Sequence, residues 1–128
     1  MDRDQAIEFA ENFLSAWNSQ EVDGVLNCYT EDCIYLDPNT HGPVHGHESL
    51  RRYLTKLFQE WQMHWSLREF FLFDDENGGA FLWHARLTPS AGGKTIEVDG
   101  MDLIIVHEGR ISRNEVYFDR MALFNELQ

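Results

Sequence analysis

The 128 residues carry 22 acidic against 10 basic side chains, a formal net charge of −12, which argues against a nucleic-acid surface because neutralising phosphates takes clustered Lys and Arg. The length suits a single domain over residues 1–128, and a composition 43% hydrophobic and 13% aromatic supports a real core rather than disorder. No run approaches about 18 apolar residues, and Met1-Asp2-Arg3-Asp4-Gln5 lacks a cationic flank followed by an apolar stretch; a cytoplasmic protein that does not engage membrane is expected.

In chain order, Ala6, Ala10, Phe13, Leu14 and Trp17 recur at helical spacing, with Asp2 or Asp4 to cap and Asn18-Ser19 to stop, which predicts an amphipathic helix over 4–18. A short second helix carries Val22, Val25, Leu26 and Tyr29. Residues 33–37 then alternate Cys33, Tyr35 and Asp37 against Ile34 and Leu36, and Pro38 ends this strand by removing an amide donor. Gly46 leads into a third helix marked by Leu50, Tyr53, Leu54, Leu57, Phe58 and Trp61. The net acidity disfavours anionic substrates and acidic membranes, although Arg51, Arg52 and Lys56 on that helix form a local patch that could still bind one anion.

Strands follow at 63–73, 80–88, 94–107 and 110–121, separated by Asp74-Asp75-Glu76-Asn77-Gly78-Gly79, by Pro89-Ser90-Ala91-Gly92-Gly93 and by a tight Glu108-Gly109 hairpin. Helices first and an antiparallel meander afterwards make an α+β domain, with the helices covering one curved face of the sheet to leave a cone with an apolar interior. Asp102 interrupts the apolar run Gly-Met-Asp-Leu-Ile-Ile-Val and calls for a reason. In the last strand, Glu115, Tyr117 and Asp119 oppose Val116, Phe118 and Arg120.

The series Ala16-Trp17-Asn18 through Asp23, Tyr29-Thr30-Glu31-Asp32, Leu36-Asp37-Pro38, Gly46-His47-Glu48-Ser49-Leu50, His107-Glu108-Gly109-Arg110-Ile111 and Tyr117-Phe118-Asp119 resembles the nuclear transport factor 2-like superfamily, specifically its SnoaL-like polyketide cyclase and ketosteroid isomerase branch. The resemblance covers nearly the whole chain and implies the cone fold and a homodimer through the open face of the sheet, with Leu82, His84, Arg86, Leu103 and Ile105 as candidates for that face. In ketosteroid isomerases an Asp-Pro aspartate is the base, which matches Asp37, and a protonated aspartate of the penultimate strand donates to the enolate, which matches Asp102. The tyrosine of helix one is replaced here by Phe13, a departure from steroid isomerisation that leaves Tyr35, Tyr53 or Tyr117 as substitutes. The cyclase branch uses an aspartate of the last strand, which matches Asp119. An Asp-Arg-Asp relay of the epoxide hydrolase kind would need Arg86 with Asp102 and Asp119.

The expected function is cofactor-independent acid–base catalysis, of isomerase or cyclase type, on a small hydrophobic carbonyl compound. Asp37, Asp102 and Asp119 are the candidate catalytic residues; Phe13, Trp17, Tyr35, Tyr53, Leu57, Trp61, Trp83 and Tyr117 are candidates to line the substrate pocket. Carboxyls crowded in one apolar cavity push one another toward the neutral form, so one should act as donor and another as base. A non-catalytic module binding an apolar ligand or a peptide is the alternative, in which Asp37 only caps its turn, and an epoxide hydrolase or dehydratase is the third reading. His41, His45 and His47 do not by themselves make a metal site, and none is expected. Cys28 and Cys33 lack redox spacing and read as small apolar groups.

Overall fold

The computed structural model describes residues 1–121. Helix α1 (Arg3–Ser19) opens on a capping box, Asp2 Oδ1 accepting from the Gln5 amide at 2.8 Å while the Gln5 side chain accepts from the Asp2 amide. It buries Ala6, Ala10, Phe13, Leu14 and Trp17. Helix α2 (Val22–Leu26) is followed by β1 (Tyr29–Leu36), β2 (Val44–His45), α3 (Gly46–Glu60), β3 (Trp61–Leu72), β4 (Gly78–Pro89), β5 (Ile96–His107) and β6 (Arg110–Phe118).

The strands form one mixed, mostly antiparallel sheet in the order β2-β1-β6-β5-β4-β3. The expected meander is β3 to β6; β1 extends it by pairing parallel with β6, and β2 adds two residues outside β1. Tyr29 starts β1 rather than ending α2, and Trp61 starts β3 rather than ending α3. Both changes follow from the sheet, whose ladder claims aromatic residues that helical spacing alone also fits. At Glu108-Gly109 both residues take positive φ, 51° and 81°, the backbone of a two-residue turn matched to strand twist.

The edge strand β3 is tied to the end of α1 by side chains. Asn18 Oδ1 accepts from the Trp65 amide at 2.7 Å and its Nδ2 donates to the Trp65 carbonyl at 3.0 Å. Gln20 does the same for the Met63 amide and the Trp61 carbonyl. These four bonds satisfy backbone groups that an open edge would leave to water and bring Trp17, Met63 and Trp65 to one side of the sheet. The core lies there, between the helices and the inner sheet face, with Tyr29, Phe70, Phe81, Trp83, Ile104 and Ile111 all under 3% exposed.

Candidate active site

A cavity of about 40 Å³ lies between α1, α3 and the inner sheet face. Its wall is aromatic and aliphatic (Phe13, Trp17, Tyr35, Tyr53, Leu57, Trp61 and Trp83 among others), and two carboxyls, Asp37 and Asp102, reach it. Both are buried, 7% and 5% exposed.

Asp37 sits one residue beyond β1, on the face that alternation assigns to Cys33 and Tyr35. Its two oxygens have different neighbours. Oδ1 accepts from the amides of Asn39 at 2.7 Å and Thr40 at 3.1 Å, closing the turn after Pro38. Oδ2 accepts from the hydroxyls of Tyr35, at 2.7 Å, and Tyr53. The turn-capping role and the cavity-facing role are thus combined in one side chain. Burial pushes both phenols above their ordinary range, and the neighbouring Asp37 charge adds to it, so both remain neutral donors.

Asp102 belongs to β5 and points inward between Ile104 and Gly100. Trp83 Nε1 donates to its Oδ1 at 2.7 Å and Asn114 Nδ2 to its Oδ2 at 3.0 Å. Asn114, itself fully buried, also donates to the Leu103 carbonyl and accepts from the Tyr29 hydroxyl at 2.8 Å. Loss of hydration raises Asp102 from 3.8 to about 7; the Asn114 and Trp83 hydrogen bonds oppose that rise and the Asp37 charge adds to it. At neutral pH this carboxyl is therefore partly protonated and able to donate.

Aromatic contacts fix the frame around the pair. Trp17 stacks on Tyr35 with centroids 6.0 Å apart, Tyr35 meets Tyr53 at 5.7 Å, and Trp65 meets Trp83 edge-on at 4.7 Å. Trp65 Nε1 is buried without a hydrogen-bond partner among the described residues.

Two expected site residues lie elsewhere. Tyr117 is on the outer sheet face, 49% exposed, donating to Glu115 Oε1 at 2.6 Å, and Asp119 is exposed beyond the end of β6, where its Oδ1 accepts from the Met121 amide. Strand parity is the reason: Val116 and Phe118 take the inward positions of β6. Arg86 is also on the outer face, near Glu97, so Arg86, Asp102 and Asp119 are not brought together as a relay. The three loop histidines disperse. His41 borders an outer recess, His45 is exposed at the start of α3, and His47 Nε2 lies 2.9 Å from the Tyr29 carbonyl.

Residues that the sequence reading passed over complete the wall: Leu14, Asn39, Met63, Trp65, Leu87, Val116 and Phe118. Met63 and Trp65 share a period-two row, and Asn114 is a polar residue at an inward position; both signals are in the sequence.

Residues 10–114 match the family model of the SnoaL-like domain. The chain belongs to the SnoaL-like domain family. Comparison with curated proteins found no match. Among solved structures, this SnoaL-like chain is similar to a provisionally assigned isomerase from Bacillus subtilis (TM-score 0.87, 13% identity, 99% of this chain and 96% of that one). It is similar too to a provisionally assigned polyketide cyclase from Silicibacter sp. (TM-score 0.80, 15% identity, 96% and 95%) and to an LEH-like epoxide hydrolase from Mycobacterium tuberculosis (TM-score 0.77, 19% identity, 95% and 88%). At these identities the SnoaL-like, nuclear transport factor 2-like fold is what is shared, and that fold carries several chemistries. No helix of the described residues is long and apolar enough to cross a membrane.

Proposed function

We propose that this SnoaL-like protein is a cofactor-independent acid–base enzyme of isomerase or cyclase type that moves a proton on a small hydrophobic carbonyl compound. The observation that carries this reading is the unlike setting of two buried carboxyls in one apolar cavity. Asp37 is surrounded by four donors, two amides and two phenols, whereas Asp102 has two neutral donors and is pushed up to about 7. Carboxyls whose surroundings separate them in this way divide into base and acid.

In this scheme, Asp37 Oδ2 takes the proton from the carbon next to the carbonyl, one phenol turning aside to admit it, and neutral Asp102 donates to the carbonyl oxygen as negative charge builds there. The Tyr53 or Tyr35 hydroxyl released from Oδ2 serves as a second donor in place of the tyrosine that Phe13 replaces. Trp65 Nε1, buried and unpartnered, is a further donor available to a bound acceptor. That the fold's neighbours include assigned isomerases and cyclases supports the reading at the level of the fold.

The small volume favours a second reading, a non-catalytic domain, because about 40 Å³ holds only a few waters. A substrate must displace side chains at the mouth. The experiment is solvent deuterium incorporation into a panel of enolisable cyclic and aromatic ketones, followed by NMR. Exchange is expected with the wild type and is expected to fall about 10²- to 10⁴-fold in Asp37→Asn. Absence of exchange across the panel, or exchange indifferent to Asp37, refutes the catalytic reading.

A further inference from the structure

A second recess of about 540 Å³ adjoins the cavity, and the two share Asn39, Tyr53, Leu57 and Trp61 as their common wall. Tyr53, whose hydroxyl reaches Asp37, and Lys56 follow one another at helical spacing on α3, so the helix runs from the carboxyl to the recess in one turn. Arg120 closes the recess from beyond β6, and Glu60 stands at the end of α3.

Of the cations outside the recess, five are paired with carboxylates, while Arg3 and Arg110 are not among the described residues. Of the patch at Arg51, Arg52 and Lys56, Arg51 is taken by Asp23 at 2.8 Å and Arg52 by Glu48 at 3.3 Å. Arg68, Arg86 and Arg113 likewise have carboxylates. Lys56 and Arg120 have no carboxylate within ion-pair distance among the described residues, in a protein of net charge −12. Glu60, four residues after Lys56, does not pair with it, and that order of charges is the less favourable one along a helix. Two cations against one carboxylate leave the recess with a surplus of one positive charge.

We infer that this recess receives the carboxylate of an amphipathic keto acid, held between Lys56 and Arg120 while the hydrophobic carbonyl end enters the cavity. The inference rests on the proposed acid–base function and names its substrate class. Charge fixes the orientation. A carboxylate driven inward would meet Asp37 and Asp102 in a desolvated setting, where like charges repel strongly, whereas the rim offers unpaired cations in contact with water. Long-range steering favours the same outcome, since a chain of net charge −12 repels an anion over most of its surface while the rim carries a surplus of positive charge.

The test uses 6-acetyl-2-naphthoate and its methyl ester, which share the aryl ketone and differ in charge, titrated by calorimetry at low ionic strength against the wild type, Lys56→Gln and Arg120→Gln. Both positions are exposed, so the variants should fold. The acid is expected to bind the wild type more tightly than the ester, each variant to weaken the acid about two- to five-fold with little change for the ester, and added salt to narrow the difference. Equal affinity for acid and ester, no binding of the acid, or a preference that survives both substitutions overturns the inference. Deuterium incorporation into the acetyl methyl of both probes separates this from the function itself. A charge-dependent preference without exchange sinks the enzymatic reading alone, and exchange without a preference sinks the keto-acid assignment alone.

Discussion

Asp37 and Asp102 reach one cavity from the end of β1 and from the middle of β5, two strands separated in the sheet by β6. The intervening strand supplies Asn114, which holds Asp102 from the side and is held in turn by Tyr29 at the start of β1. The polar chain Tyr29–Asn114–Asp102–Trp83 therefore spans the sheet under an apolar roof.

The raised Asp102 makes stability depend on pH in a defined direction. Below about pH 4 the carboxyl is protonated in both folded and unfolded chains and costs nothing. Between 3.8 and about 7 the unfolded chain releases the proton while the folded protein keeps it, so stability falls as pH rises, by up to roughly 4 kcal/mol across that window, and levels off above it. Other carboxyls contribute slopes of their own, Glu115 among them, lowered by its hydrogen bonds to Tyr117 and Arg113. Comparison of urea denaturation for wild type and Asp102→Asn from pH 4 to pH 8 isolates the Asp102 part: the two stability profiles should converge or cross as pH rises. Parallel profiles would mean that Asp102 ionises normally. Turnover that uses neutral Asp102 as donor should decline through about pH 7.

Asn114 should set where that titration falls. Its hydrogen bond lowers the Asp102 pKa against the larger effect of burial, so Asn114→Leu is expected to move the Asp102 titration to higher pH, read by ¹³C NMR of the carboxyl. The same substitution leaves the Tyr29 hydroxyl without its acceptor, a buried polar loss of about 1–3 kcal/mol. A loss of stability with an unmoved titration would show that Asn114 only fills space.

Gly100 is the floor beneath Trp83. A Cβ built there would lie 2.4 Å from both Trp83 Cζ2 and Cη2 and 2.7 Å from the Tyr117 carbonyl oxygen, closer than carbon atoms approach, so Trp83 must shift and its bond to Asp102 with it. Gly100→Ala is expected to cost about 1–3 kcal/mol and to alter tryptophan fluorescence. Gly24→Ala is the contrast: within α2 its nearest neighbours stand at 3.9 Å, and removing a helical glycine should be neutral or stabilising by up to about 1 kcal/mol. Thermal melts of the two variants check both, and equal melting temperatures would refute the packing argument at Gly100.

The helices, the meander and the inward set of β5 were legible because period-two and period-3.6 patterns are local. Asp37 was legible too, from one alternating strand ended by Pro38. What misled was the last strand. Its own alternation already put Val116 and Phe118 opposite Tyr117, but only the pairing of Met101 with Tyr117 and of Asp102 with Val116 tells which set faces the helices. Family likeness favoured Asp119, whereas the strand ends at Phe118 and leaves Asp119 in the open. Asn114 stayed hidden because its meaning lies in partners 12 and 85 residues away, and the cationic patch reduces to Lys56 because Asp23 and Glu48, which pair with Arg51 and Arg52, approach only in the folded chain.

The outer sheet face supports a last prediction, a homodimer. Register lines up Phe71, Ala80 and Leu103 in one cross-strand row that ends at Glu115, and Leu82, Met101 and Tyr117 in the next, which starts from Glu69, with Phe71 51% and Tyr117 49% exposed. Side chains directly opposite on neighbouring strands make a continuous apolar band rather than scattered exposed residues, and such a band on one sheet face marks an interaction surface. The ion-pair group of Arg68, His84, Arg86, Glu97 and Asp99 borders it and would form a polar rim. A two-fold symmetric pair would bury the band of each copy against the other. Light scattering at micromolar concentration should report twice the 15.0 kDa chain mass, and Leu103→Lys, which places a charge in the band without touching the cavity, should return the chain to a monomer. A wild type that is already monomeric under those conditions removes the dimer from the description of this protein.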